Sequence, residues 1–230
     1  MNTNPFDDLE LAARYECWYS GPGRRASEME KALLGKLLRS FKDAKSVLEI
    51  GCGSGHFTRW MRQLGYKVTG LDSSAAMLDQ ARALNGVEYV VGDALSLPFE
   101  ECDFDVSALI TTLEFIDDPK LAITEAARVA KIGLLLGAIN RHSVLGLRRS
   151  RSRRTPWNSA KLYTPHELSC LVRSTLADRV LKISWQTTLW PIPFVKHLPH
   201  PWGDFIGLSV NLKPLARRSK ADQTYYSSSQ

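Results

Sequence analysis

Between Ser46 and Asn140 the chain alternates short aliphatic runs with segments of helical periodicity, and few folds accept that pattern. A strand, a helix and a second strand in succession pair in parallel, and the sheet they build is covered on both faces. The aliphatic runs fall at 47–50, 68–71, 87–91, 104–110 and 132–139, and helical patterns occupy 57–64, 75–84 and 119–129. The run 132–139 is almost unbroken, as expected of a strand buried on both sides. Before this block, 27–41 places Met29, Leu33, Leu34, Leu37 and Leu38 at helical spacing, which predicts a helix against the sheet edge. After it, Thr164-Pro165-His166-Glu167 reads as an N-cap, a first-turn proline and an N3 acid opening a helix to about 176. Two further strands are expected at 180–188 and 205–212. The prolines between 190 and 203 exclude a helix or central strand there and predict an aromatic loop.

Composition bounds the rest. With 230 residues, 44% apolar and 23% charged, the chain can bury roughly 70–75% of its unfolded surface in one core. No apolar stretch reaches the roughly 18 residues a membrane helix needs, and the first residues lack the basic and apolar regions of a secretory signal. Integral membrane insertion is therefore not expected. Cys17, Cys52, Cys102 and Cys170 lie far apart and form no Cys-x-x-Cys pair, which predicts free thiols in a reducing cytoplasm and no metal site. The net charge of +6 is unevenly spread: residues 1–140 hold 15 basic and 20 acidic side chains, whereas 141–230 hold 15 and 4. The sharpest basic run is Arg148, Arg149, Arg151, Arg153 and Arg154. It is either an anion-attracting patch or a solvated loop.

The first strand ends in Glu49-Ile50-Gly51-Cys52-Gly53-Ser54-Gly55-His56. Glycines at a strand end that feeds a helix let backbone approach a nucleotide-like ligand without Cβ obstruction and present free N–H groups. The dinucleotide fingerprint requires glycine at position 56, where this chain has histidine, so NAD is disfavoured. Glu49 would repel a pyrophosphate and welcome a cation. Asp72, at the end of the second strand, can accept both hydroxyls of a ribose; the plainer alternative is a charge favourable to the following helix, although Ser73 or Ser74 can cap it. Asp93, after the third strand, can accept from an adenine amino group or form an Asx turn. All of these lie at carboxyl ends of successive strands, where open α/β sheets bind ligands.

The residues 47–55, Gly70-Leu71-Asp72-Ser73-Ser74-Ala75-Ala76-Met77-Leu78, Gly92-Asp93-Ala94-Leu95-Ser96-Leu97-Pro98-Phe99, Phe104-Asp105-Val106, Asp117-Asp118-Pro119 and Glu125-Ala126-Ala127-Arg128-Val129 occur in the order seen in class I S-adenosylmethionine-dependent methyltransferases. The chain resembles their small-molecule group, which includes the ubiquinone and menaquinone methyltransferases. The resemblance implies an α/β, Rossmann-like doubly wound sheet of about seven strands, mostly parallel with an antiparallel C-terminal strand, with helices on both faces. It implies S-adenosyl-L-methionine as cofactor and S-adenosyl-L-homocysteine as product. By the same resemblance, backbone at Gly51, Cys52, Gly53 and Gly55 holds the methionine moiety and Glu49 orients its ammonium. Asp72 takes the ribose hydroxyls, Asp93 with Ala94 meets the adenine edge, Thr111 meets the methionine end, and Ser73 and Met77 also belong to the cofactor-binding set. Tyr15 and Tyr19 match an aromatic segment that closes over the cofactor. The family's usual Lys-Pro-Gly-Gly before the fifth strand is reduced to Lys131-Ile132-Gly133, which predicts a shortened turn.

The implied division is a helical lid segment over 1–45 and one methyltransferase domain over 46–230, with a substrate-covering insertion at about 141–163 and an aromatic loop at about 187–203. Trp157, Tyr163, Trp190, Phe194 and Trp202 are expected to wall an apolar pocket for a small hydrophobic or aromatic acceptor, and the nearby arginines suggest an acidic group on it. A sulfonium is a good leaving group, so orientation and exclusion of water carry most of the expected chemistry. No general base is assigned. His56 is expected to pack beside the cofactor at the helix start, and Glu114 to be an exposed carboxylate. His142, His166, His197 and His200 are expected at the surface. The competing readings are a non-catalytic cofactor-binding or RNA-associated regulatory protein and, third, an NAD-dependent oxidoreductase. The basic residues form one cluster and no broad aromatic-interleaved stripe, which disfavours nucleic acid as a partner. The oligomeric state is not legible.

Overall fold

The computed structural model describes residues 5–84, 86–153, 155–189 and 200–214. Its centre is a seven-stranded sheet of β1 (Ser46–Ile50), β2 (Lys67–Asp72), β3 (Glu88–Val91), β4 (Phe104–Ile110), β5 (Ala130–Ile139), β6 (Val180–Thr188) and β7 (Phe205–Leu212). The spatial order is β3-β2-β1-β4-β5-β7-β6. Strands β1 to β5 pair in parallel, and β7 runs antiparallel between β5 and β6. The winding reverses beside β1, whose neighbours are β2 and β4, and a crevice opens there at the carboxyl ends.

Helices cover both faces, as the buried aliphatic strands require. On one side Leu48, Ile50, Leu109, Leu134 and Leu136 pack with α5 (Pro119–Val129) and α7 (Pro165–Leu176). On the other, Val47, Val106, Ile110 and Leu135 pack with α2 (Arg24–Leu38) and α3 (His56–Gln63). Leu33, Leu34, Leu37 and Leu38 are all buried, and truncating any one of them to alanine should cost about 2–5 kcal/mol. The expected stripe is thus the inner face of α2, which lies against β5, β6 and β7. The segment 1–45 therefore divides. Its second helix belongs to the core of the sheet, while α1 (Leu9–Ser20) lies against α4 (Ala75–Ala83) through Ala12, Ala76 and Met77.

Local chemistry sets the helix starts. Asp8 caps α1, Ser74 caps α4 through the Met77 N–H, and Asp118 caps α5 ahead of a first-turn proline. Thr164 and Glu167 form the expected capping box at α7. Two local readings need correction. The residues 131–133 form no turn, because α5 ends at Val129 and β5 begins at Ala130. The arginine run is not a loop throughout: Ser143 caps a short helix, α6 (Val144–Ser150), that contains Arg148 and Arg149. Among the described residues, no helix is long and apolar enough to cross a membrane. All four cysteines are free.

Candidate functional site

A cavity of about 590 Å³ opens at the reversal point of the sheet. Its floor is the turn after β1. Gly51, Gly53 and Gly55 have φ values of 70°, 53° and 76°, a left-handed conformation that a side chain disfavours. The three glycines nevertheless differ. A Cβ on Gly53 would meet nothing within 4 Å, so the space above it belongs to the cavity, whereas a Cβ on Gly55 would lie 2.2 Å from the Tyr89 hydroxyl. Gly51 and Gly53 line the cavity with Cys52 and Ser54, and Gly55 does not. Packing against Tyr89 of β3 thus requires glycine at position 55.

The strand ends supply the acids. Glu49 on β1 is 1% exposed and accepts a hydrogen bond from the Thr58 hydroxyl. Burial pushes its pKa up to about 8, despite that bond. Asp72 on β2 accepts from the Gly53 N–H at 2.7 Å and the Ser74 N–H at 2.9 Å, which ties the glycine turn to the start of α4. Burial raises its pKa too. Asp93 accepts from the Leu95 N–H at 2.9 Å, forming the Asx turn weighed above, and still lines the cavity beside Ala94. Ser73 and Met77 line it from the start of α4. Thr111, just beyond β4, has φ 54° and donates its N–H to Gly137 at 2.8 Å. A non-glycine residue held in that conformation at a cavity wall is the kind of strain that marks functional positions. Thr112 beside it donates its hydroxyl to Ile50 O at 3.1 Å.

The roof comes from α1. Tyr15 and Tyr19 line the cavity, and Tyr19 stacks on His56 with ring centroids 3.8 Å apart. His56 lies 2.6 Å from the Ser27 hydroxyl, and burial lowers its pKa, which keeps the ring neutral near pH 7. Glu16, one turn before Tyr19, accepts from Arg59 and from the Ser54 hydroxyl, each at 2.7 Å. Burial raises its pKa, but bonds from His56, Ser54 and Arg59 outweigh that and hold it at about 2. One carboxylate thus fastens α1 to both the glycine turn and α3.

Sequence reasoning missed several wall residues. Glu114 is 1% exposed instead of solvated; its Oε1 accepts the Ile139 N–H at 2.8 Å. No periodicity signals this, because Glu114 lies in a 3-10 turn after β4 and is buried only by what folds over it. Phe6, Phe115, Ile116, Ser159 and Lys161 also line the cavity. The expected aromatic wall is redistributed. Tyr163 is core, with its hydroxyl on Leu113 O; Trp157 packs on Phe115 and Arg149; Trp202 is exposed. Trp190, Phe194 and His197 lie outside the described residues. His142 and His166 are at the surface, and His200 is half-buried against Trp202. Among the described residues no group of His, Cys, Asp and Glu is placed to hold a metal.

Residues 48–136 match the family model described as a methyltransferase domain. A malonyl-[acyl-carrier protein] O-methyltransferase from Erwinia billingiae is 39% identical over 105 residues, covering 44% of this chain and 42% of that protein. One of the same name from Buchnera aphidicola is 32% identical over 142 residues, covering 59% and 58%. The chain thus spans about two-fifths to three-fifths of the length of these relatives. The crystal structure of a SAM-dependent methyltransferase from Thermotoga maritima, described as a possible histamine N-methyltransferase, superposes with a TM-score of 0.76 at 27% identity, covering 91% of this chain and all of that one.

Proposed function

Because this chain carries a domain of the class I S-adenosylmethionine-dependent methyltransferase family, we propose that it transfers a methyl group from S-adenosyl-L-methionine to a small acceptor with an apolar or aromatic body. The observation that carries this reading is the open cradle above Gly53, flanked by the acids that end β1, β2 and β3. A buried carboxylate such as Glu49, with its pKa raised by desolvation, is stabilised by a cation placed beside it. Glu49 would hold the ammonium group, with Gly51, Cys52 and Gly53 along the methionine chain and Thr111 at its end. Asp72 and Ser73 would hold the ribose, beside Met77, and Asp93 with Ala94 the adenine edge.

When bound, the cofactor supplies an activated methyl group on a sulfonium. The chain's own work is to align the acceptor and keep water out, and orientation of that kind contributes about 7–11 kcal/mol. Tyr15 and Tyr19 on α1 would form the lid, with Phe6 and Phe115 flanking the acceptor. Among the described residues, Arg148, Arg149, Arg151 and Arg153 do not line the cavity, and Glu114 does. The acidic group expected on the acceptor is therefore dropped. The carrier-protein acceptors named for the relatives are not transferred to this chain, since it spans only about two-fifths to three-fifths of their length. With four free cysteines, we place the protein in the cytoplasm.

Calorimetric titration with S-adenosyl-L-methionine, S-adenosyl-L-homocysteine and NAD tests the proposal. The first two should bind and NAD should not; NAD binding alone would return the oxidoreductase reading. Binding without transfer to any acceptor would favour a regulatory protein.

A further inference from the structure

Resting on that reading of the cavity, we propose that the acceptor is an amine, received by Glu114 through an N–H hydrogen bond to its Oε2. Glu114 is held from two sides: Oε1 accepts the Ile139 N–H at 2.8 Å, and its backbone carbonyl accepts the Lys161 N–H at 2.7 Å. Among the described residues its other carboxylate oxygen, also buried, has no hydrogen-bond partner. A buried acceptor of this kind is costly unless something satisfies it, and such exceptions require an explanation. Glu114 lines the cavity beside Phe115 and Tyr15, so a ligand there can supply the missing donor.

The surroundings select the class of donor. Asp117 adds a second acid to the same wall, and Lys161 is the one lysine or arginine among the described lining residues. Lys161 is exposed, as expected of a side chain at the rim. A carboxylate would meet repulsion from Glu114, and an alcohol would satisfy Oε2 without balancing its charge. An amine does both, and the rings of Phe6, Tyr15, Tyr19 and Phe115 suit a cation over an aromatic face.

Burial pushes the Glu114 pKa up to about 7, so near neutrality it can take up a proton and release it. The acceptor arrives as R–NH3+ and gives one proton to Oε2. Its freed lone pair forms the N–C bond to the methyl group while the C–S bond breaks, with that bonding pair going to sulfur. R–NH2+–CH3 departs, and Glu114 returns its proton to water.

The test uses the full chain loaded with S-adenosyl-L-homocysteine and three probes with one aromatic body: 2-phenylethylamine, 2-phenylethanol and 3-phenylpropionate. Calorimetry should show the amine binding at least about tenfold tighter than the other two. Glu114→Gln, which keeps the carbonyl acceptor for Ile139, should erase that preference and leave affinity for S-adenosyl-L-homocysteine within about twofold. With S-adenosyl-L-methionine, mass spectrometry should find N-methylated 2-phenylethylamine in the wild type only. No binding of the amine, tighter binding of the propionate, or an unchanged preference in the variant overturns the proposal. A parallel loss of S-adenosyl-L-homocysteine affinity in Glu114→Gln would assign Glu114 to the cofactor, overturning the amine proposal but not the methyltransferase reading. If the wild type ignores S-adenosyl-L-homocysteine, the methyltransferase reading itself falls.

Discussion

The wall of the cavity built from β1 to β4 and the wall built from residues 111–163 are put together by different means. In the first, Glu49, Asp72 and Asp93 stand at the ends of parallel strands whose register is fixed by backbone hydrogen bonds. Position along the chain there dictates position in space. In the second, placement depends on contacts between side chains and distant backbone. Glu114 is held by the Ile139 N–H, Asn140 donates Nδ2 to Pro201 O and Gly203 O, and Arg149 lies 4.1 Å from the Trp157 ring. The first wall follows from fold class, and the second must be read residue by residue.

Four changes test this contrast. The largest effect is expected at Asp72→Ala, which removes the proposed ribose acceptor and also orphans the Gly53 and Ser74 N–H groups. Affinity for S-adenosyl-L-homocysteine should fall by about 100-fold, measured calorimetrically, while the sheet persists by circular dichroism. Unchanged affinity would remove the first wall from ligand binding altogether.

Next comes the pH dependence of the unliganded protein. Glu49, at about 8, and Glu30 and Glu114, at about 7, bind protons in the folded state above the ordinary carboxylate value of 4.5. Between pH 4.5 and about 8 the native state therefore holds more protons than the unfolded one, and stability falls as pH rises through that window. Each such group contributes at most about 1.4 kcal/mol per pH unit. Thermal melts should show the melting temperature falling from pH 5 to 8, with a shallower fall in Glu49→Gln. A cationic ligand should restore the carboxylate form of Glu49, so binding near pH 7 should release protons, detectable by titration in buffers of different ionisation enthalpy.

A smaller change is expected at Glu16→Ala. Removing the carboxylate that joins Ser54 and Arg59 to α1 should cost about 1–2 kcal/mol and speed hydrogen exchange in α1 ahead of the sheet. Uniform protection would show that α1 is held by its apolar face alone. The smallest effect belongs to the arginine cluster. Replacing all five with glutamine should leave cofactor affinity unaltered, and only Arg149, stacked on Trp157, should register in stability, by about 0.5–1 kcal/mol. A loss of affinity would bring that helix into the site.

The sheet was legible because its strands are short, aliphatic and evenly spaced, and even β7, the antiparallel strand between β5 and β6, ends at the predicted residue. Ser74 and Thr164 cap as their sequence context demands. The glycine motif was legible as a turn but not as three separate functions, since the approach of Tyr89 to Gly55 crosses from β3 and leaves no local mark. Glu114 was misread for a related reason. A lone acid after a strand is usually solvated, and its burial is decided by Ile139 and by the chain around Lys161. Arg149 illustrates the converse: charge predicted an anion or solvent around it, and an aromatic ring took the guanidinium instead.

The phenol of Tyr89 over Gly55 also warns how mutational maps of this motif are to be interpreted. A saturation library across 51–55 should score position 55 as intolerant as its neighbours, and that score invites the inference of a ligand touching it. The intolerance has another origin, a collision with a ring two strands away. Shortening Tyr89 to alanine alongside Gly55→Ala should recover part of the loss, leaving only the backbone's preference for a left-handed residue; among the described residues no such partner exists to rescue Gly53.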